Sequence, residues 1–128
     1  MIKKIKTRTL DTLWSKAVKA VRGDACEYCG ATSEITQIDS HHIYGRKNYG
    51  LRFLIDNGCR LCVLHHRFST LFSAHETPLK FAEWIQTKRS ILLLDFLRET
   101  SNKTCRINEI NKEKVSEHLR KFINEANT

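Results

Sequence analysis

The sequence has no long apolar run, and this absence excludes the class of membrane-spanning proteins. Its longest run of apolar residues, at positions 91–94, has four members, whereas a membrane-spanning helix needs about 20. The basic amino-terminal segment is followed by neither an apolar stretch nor a small-residue cleavage site, so we expect no secretory signal. Internal repeats and low-complexity segments are also absent. These observations predict a cytoplasmic protein that makes no contact with membranes.

Acidic residues are scarce relative to basic ones, and this imbalance favours a polyanionic partner. The 128 residues include 14 Asp and Glu against 22 Lys and Arg, for a net charge of +8. Residues 1–72 hold twelve basic and six acidic side chains, whereas residues 73–128 hold ten and eight. The length fits one domain with helical additions. We therefore predict a basic half that faces nucleic acid and a nearly neutral helical support.

Cysteine is present in an odd number, which argues against a protein built on disulfides. Four of the five cysteines form two Cys-x-x-Cys units, Cys26 with Cys29 and Cys59 with Cys62, while Cys105 stands alone. In an intracellular protein such paired units indicate zinc binding more strongly than redox chemistry. A thiol redox protein remains the alternative, and it requires an exposed cysteine of low pKa at a helix start.

The spacing of apolar residues predicts helices on both sides of a short β region, and hence the α+β class. Trp14, Phe81 and Trp84 are predicted to lie in the core rather than to stack on bases. The predicted elements are a helix from Asp11, as N-cap, to Gly23, as C-cap; a strand at 35–43; a loop at 44–50; a helix at 63–72; and helices beginning at Thr77, Ile91 and Val115.

Histidines and one asparagine follow a regular spacing in the middle of the chain. His41 and His42 end the predicted strand, fourteen residues separate His42 from Asn57, and eight separate Asn57 from His66. Because side chains alternate along a strand, one of the two adjacent histidines can bind a metal while the other faces a substrate. Together with the cysteine units, this order resembles the HNH endonucleases that carry a zinc site, over about one third of the chain. Residues 76–85 also resemble phage-type members of that family.

The resemblance implies a role for each residue of the motif. His42 matches the general base that accepts a proton from the attacking water, and His41 and His66 match ligands of a catalytic divalent cation. Asn57 matches the asparagine that fixes the loop and so orients the base. Some members have a further histidine where this chain has Thr70, and His75 lies nearby but out of register.

The structural zinc site has two alternative sets of ligands. Cys26 and Cys29 belong to both, and the second pair is either Cys59 and Cys62 or Cys62 and His65, because zinc accepts Cys₄ and Cys₃His sets. Counting from the motif asparagine in the family pattern favours Cys62 and His65. Cys59 is then a small buried residue.

The resemblance thus implies a small ββα-metal (HNH) finger with a zinc knuckle, flanked by amino- and carboxy-terminal helices. We divide the chain into a basic helix at 1–24, a nuclease core at 25–74 and a helical extension at 75–128. The expected activity is hydrolysis of DNA phosphodiester bonds, by nicking or double-strand cleavage, in a bacterial or phage-infected cell. It would use a structural Zn²⁺ and a catalytic Mg²⁺, Mn²⁺ or other transition metal. The alternative is a non-catalytic, zinc-stabilised module that binds nucleic acid. The basic residues predicted to contact DNA phosphates are Arg46, Lys47, Arg52, Arg60 and Arg67.

Overall fold

Helices surround a two-stranded antiparallel sheet in the computed structural model, which describes residues 4–127. The predicted α+β class is therefore confirmed. Three short helical turns, Ile55–Asn57, Leu64–Phe68 and Ile107–Glu109, connect the longer elements, and the second of these is a π-helical turn. The main elements are α1 (Thr7–Arg22), β1 (Ile38–His42), α2 (Tyr49–Arg52), β2 (Gly58–Cys62), α3 (Pro78–Ile85), α4 (Ile91–Ser101) and α5 (Lys112–Ala126).

The sheet separates the two adjacent histidines. In the register of β1 and β2, His41 lies opposite Cys59 and His42 opposite Gly58. Alternation along β1 directs His42 towards α1, whose Trp14 ring it contacts, and His41 towards the π-helical turn and α3. Helix α1 comes so close to β2 that a Cβ on Gly58 would lie 2.4 Å from Val18. Glycine is therefore required at position 58.

Two hydrophobic cores support the sheet. The first joins α1 to Phe53, Ile55 and Leu119 of α5, so it draws side chains from all three predicted segments of the chain. The second lies on the other side of the sheet and includes Phe81 and Ile85 of α3. Trp14 and Phe81 are buried, as predicted, and Trp84 is half-buried against the second core. None of the helices within residues 4–127 has the length and apolar character that a membrane crossing requires.

The first helix starts earlier than predicted. It begins at Thr7 after Lys6, so Asp11 lies inside the helix and is not its N-cap. The carboxylate of Asp11 instead accepts hydrogen bonds from the guanidinium of Arg52, at 2.9 and 2.8 Å. The predicted end is confirmed, because Gly23 caps α1 with a positive φ of 97°. Residues 1–3 of the predicted amino-terminal segment lie outside the described residues.

The predicted strand and the helix after β2 are both shorter than expected. Only Ile38–His42 of the predicted strand pairs with β2. The helix predicted at 63–72 ends at Phe68, because Ser69 has an extended backbone and its hydroxyl accepts hydrogen bonds from the amides of Leu71 and Phe72. The turn that follows leads the chain back towards the sheet. The three later helices are present as α3, α4 and α5.

Candidate metal centres and active site

Four of the predicted zinc ligands come together between the turn at 25–32 and the end of β2. Their ligand atoms all lie within 4.8 Å of one another. The Sγ atoms of Cys29 and Cys62 are 3.9 Å apart, and His65 Nδ1 lies 3.2 Å from Cys62 Sγ and 3.9 Å from Cys26 Sγ. Tetrahedral zinc bonds of about 2.3 Å to sulfur and 2.0–2.1 Å to nitrogen place ligand atoms roughly 3.5–3.8 Å apart. This group, the zinc centre, can bind a metal ion such as zinc.

Cys59 does not belong to the zinc centre, although it is the first cysteine of its Cys-x-x-Cys unit. It is fully buried in β2 and packs in the second core, outside the group of four ligand atoms that lie within 4.8 Å of one another. Burial, followed by the neighbouring Glu27, raises the pKa of the Cys59 thiol, which therefore stays protonated. The preferred set with Cys62 and His65 is thus the one that the structure assembles.

The surroundings of the zinc centre favour the thiolate form of Cys26 and disfavour that of Cys62. Burial alone would raise the pKa of Cys26, but backbone amides of Cys62, Cys29 and Tyr28 donate hydrogen bonds that lower it. Burial, followed by the charge of Cys26, raises the pKa of Cys62 to about 11. Three thiolates so close together need a cation to balance their charge. Metal binding at this centre is therefore linked to proton release.

A second cluster, which we call the three-histidine centre, consists of His41, His66 and His75. One nitrogen from each lies within 4.8 Å of the others, and the Nε2 atoms of His66 and His75 are 3.2 Å apart. The resemblance had paired His41 with His66, and the structure places their rings 5.0 Å apart. His75 lies in this centre because the chain folds back after the π-helical turn. The backbone amide of His75 then donates a hydrogen bond to the carbonyl of His66 at 3.1 Å. Sequence reasoning set His75 aside, since its position depends on that turn.

Asp39 orients the three-histidine centre. Its carboxylate accepts a hydrogen bond from Nδ1 of His66 at 2.8 Å, so the lone pair of His66 lies on Nε2, beside His75. Burial would raise the pKa of Asp39, but hydrogen bonds from Gln37 and His66 outweigh it and lower that pKa. Asp39 was not among the predicted site residues. Its position two residues before His41, on the same face of β1, was the available signal.

Burial favours the neutral form of two histidines of this centre, His41 and His66. Burial, followed by the neighbouring His66 and His75, lowers the pKa of His41 to about 3. Burial also lowers the pKa of His66, and the bond to Asp39 opposes only part of that effect. Neutral imidazoles are good ligands for divalent transition metals. Three such ligands leave coordination positions free for water or a phosphate oxygen.

His42 lies outside the three-histidine centre and is held by two contacts. Its ring stacks on Trp14, with centroids 3.8 Å apart and planes 8° apart. Its Nε2 lies 2.9 Å from the carbonyl oxygen of Arg52, which can only accept, so Nε2 carries the proton and Nδ1 a lone pair. Burial lowers the pKa of His42, which favours this neutral form. The residue can therefore accept a proton on Nδ1 at neutral pH.

Asn57 fixes the loop that joins the strands. It is fully buried; its Oδ1 accepts from the amide of Tyr44 at 2.8 Å, and its Nδ2 donates to the carbonyls of Tyr44 and Leu51 at 3.0 and 3.2 Å. The backbone carbonyl of Asn57 also accepts from the amide of Ile43 at 2.9 Å. These bonds hold the segment that directly follows His42.

We expect Asn57→Ala to reduce the free energy of unfolding by about 2–3 kcal/mol, because buried partners of the amide lose their hydrogen bonds. Urea unfolding of the zinc-loaded protein measures the change. Asn108→Ala removes an exposed asparagine outside the loop and serves as the control. Equal stability of the two variants would contradict the conclusion that Asn57 fixes the loop between the strands.

The five predicted phosphate contacts divide into two groups. Arg46, Lys47 and Arg67 are exposed and free to meet a phosphate. Arg60 is buried, and its guanidinium donates to Gly23, Ser40 and Asp24. Arg52 is held by Asp11 and by the hydroxyl of Tyr49. The donors of Arg52 and Arg60 are therefore engaged within the fold, and phosphate contact by the exposed Arg46, Lys47 and Arg67 stays a prediction.

Comparisons with known proteins add no further assignment. No family model matches the sequence, no curated protein matches it, and no solved structure matches it. The two centres therefore carry the functional information in this chain.

Proposed function

We propose that the chain is a metal-dependent endonuclease of the HNH type, with a structural zinc, that hydrolyses DNA phosphodiester bonds. The observation that carries the proposal is the juxtaposition of the three-histidine centre with His42. Both His41 and His42 border one cavity, so a cation ligand and a proton acceptor have access to the same space. A non-catalytic zinc module has no need for this arrangement.

A divalent cation held by the three imidazoles would stabilise the negative charge that develops on the phosphate during cleavage. Nδ1 of His42 accepts the proton of the attacking water, while the carbonyl of Arg52 holds the ring by Nε2. Asp39 keeps the Nε2 lone pair of His66 directed at the centre. Asn57 keeps the strand connection, and hence the position of His42, fixed.

Cleavage of supercoiled plasmid by the zinc-loaded protein tests the proposal. With added Mg²⁺, Mn²⁺ or Ni²⁺ we expect nicked or linear product, and the ratio of the two distinguishes single- from double-strand cutting. His66→Ala, purified in the same way, should bind DNA but leave the plasmid supercoiled. Binding without cleavage by the unmodified protein in every cation would replace the proposal with the non-catalytic module.

The exposed loop after β1 supplies a prediction on DNA affinity. Neutralising Arg46 and Lys47 with glutamine should reduce the slope of log affinity against log salt by about two, if each contacts one phosphate. Lys88→Gln with Lys114→Gln removes the same charge from exposed sites elsewhere and is the matched control. Fluorescence anisotropy over a range of salt concentrations gives both slopes. Equal slopes for the two double variants would show that Arg46 and Lys47 do not contact phosphates.

A further inference from the structure

A cavity of about 750 Å³ opens beside the adjacent histidines, between the loop after β1 and helices α3 and α4. We call it the histidine cavity. His41 and His42 form one part of its wall, and Tyr44 and Gly45 of the loop form another. A group that enters this space therefore lies next to the residues to which the proposed chemistry is assigned.

The rest of the wall is mainly apolar. Phe81 and Ile85 come from α3, and Ile91 and Leu94 come from α4. Phe81 is buried, whereas Ile91 leaves 74% of its surface exposed at the mouth. Such a wall does not suit a phosphate, which requires charged or hydrogen-bonding partners. It does suit the flat face of an aromatic heterocycle.

Three further polar side chains line the histidine cavity. Gln86 stands at the end of α3, and Arg98 stands on α4, where it pairs with Asp95 at 3.0 Å. These side chains offer donors and acceptors of the kind that the edge of a nucleobase requires. On the loop, Gly45 is followed by the exposed cations Arg46 and Lys47, which suit the neighbouring phosphates.

We propose that the histidine cavity receives one unpaired nucleobase of the strand that is cut. The preferred substrate is then bulged, flapped or single-stranded DNA rather than regular duplex. A base inside a duplex is paired and stacked on its neighbours, so it must be rotated out before it can enter. An unpaired base enters with little of that cost. The inference rests on the proposed function, since it assigns the substrate of the same site.

Fluorescence anisotropy tests the inference with three labelled DNAs of one sequence: a full duplex, the same duplex with a bulge, and the single strand. Titrations use the zinc-loaded protein without added divalent cation, so that binding is measured without cleavage. We expect the bulged DNA to bind about tenfold more tightly than the duplex, the gain that stacking of one base provides. Equal affinity for bulged and full duplex would overturn the inference whatever any variant does.

Ala82→Phe fills the histidine cavity from α3, where Ala82 is exposed and a larger side chain leaves the core intact. This variant should lose the preference for the bulge and retain duplex affinity. Ala126→Phe makes the same change on the exposed end of α5 and should keep the preference. A preference that survives Ala82→Phe would contradict the assignment.

Two further outcomes separate this inference from the proposed function. Cleavage of duplex plasmid without any preference for unpaired DNA would leave the nuclease proposal intact and overturn the inference alone. Gel filtration of the same samples tests whether a second copy of the chain occupies the cavity instead of a nucleobase. A dimer that Ala82→Phe dissociates, with DNA affinities unchanged, would assign the cavity to a second copy of the chain and overturn its assignment to a nucleobase.

Discussion

Cys62→Ser should yield a protein that does not hold zinc and does not fold. Structural zinc contributes about 10–16 kcal/mol of apparent binding free energy in small zinc domains, and that free energy is folding free energy. In this chain the ligands join the turn at 25–32, β2 and the π-helical turn, so the loss of one ligand affects all three. Zinc content by mass spectrometry under native conditions and thermal unfolding by circular dichroism measure the result.

Cys59→Ser provides the matched control, because it makes the same atomic change three residues away. We expect this variant to bind one zinc ion, like the unmodified protein, and to lose only the small free energy of one altered buried side chain. His65→Ala should reduce zinc content. Zinc lost by Cys59→Ser and kept by His65→Ala would show that the second ligand pair is Cys59 with Cys62.

His41→Ala and His42→Ala should both abolish most DNA cleavage, but for different reasons. His41→Ala removes one of three imidazoles, so added Mn²⁺ should restore part of the activity by mass action on a weakened site. His42→Ala removes the proton acceptor and leaves the cation ligands in place. We expect a loss of roughly 10²–10⁴-fold that no concentration of metal restores. Initial rates of plasmid cleavage over a range of Mn²⁺ concentrations distinguish the two variants.

The stacking of His42 on Trp14 requires a control for stability. Thermal unfolding of each zinc-loaded variant establishes that the measured rates belong to folded protein. His42→Gln, which retains a polar side chain of similar length without a basic imidazole, should be as inactive as His42→Ala. Rescue of His42→Ala by Mn²⁺, with His41→Ala unresponsive, would show that the roles of the two histidines are exchanged.

The zinc centre could be predicted from the spacing of its cysteines and His65, whereas the pair His41–His66 was implied by the resemblance of the motif to a known family. A cysteine at a strand end and a histidine three residues later share one turn of backbone, so their spacing determines their proximity. The end of α1 was predictable for a similar local reason. Gly23 adopts a positive φ that other residues avoid.

The residues that sequence reasoning misplaced depend on contacts across the fold. Asp11 is a residue type that commonly caps helices, yet α1 begins before it, at Thr7. Its carboxylate pairs with Arg52, forty-one positions away. Arg60 carries a permanent positive charge, yet it lies on a strand that is fully buried, where its guanidinium donates to Gly23 and Asp24. Burial of that kind cannot be inferred from the five-residue strand itself.

His75 illustrates the same limit within the candidate active site. No local spacing rule places it beside His66, because the chain between the two residues leaves the π-helical turn and folds back. Backbone hydrogen bonds at Ala74 and His75 hold the returning segment. The fold-back brings His75 to the three-histidine centre.

Calorimetric titration of Mn²⁺ into the zinc-loaded protein tests the central claim, a cation site built from His41, His66 and His75. The account predicts one equivalent of binding for the unmodified protein and for His42→Ala, and greatly weakened binding for His75→Ala. Absence of binding to the unmodified protein, or binding that persists in His75→Ala and disappears in His42→Ala, would contradict it.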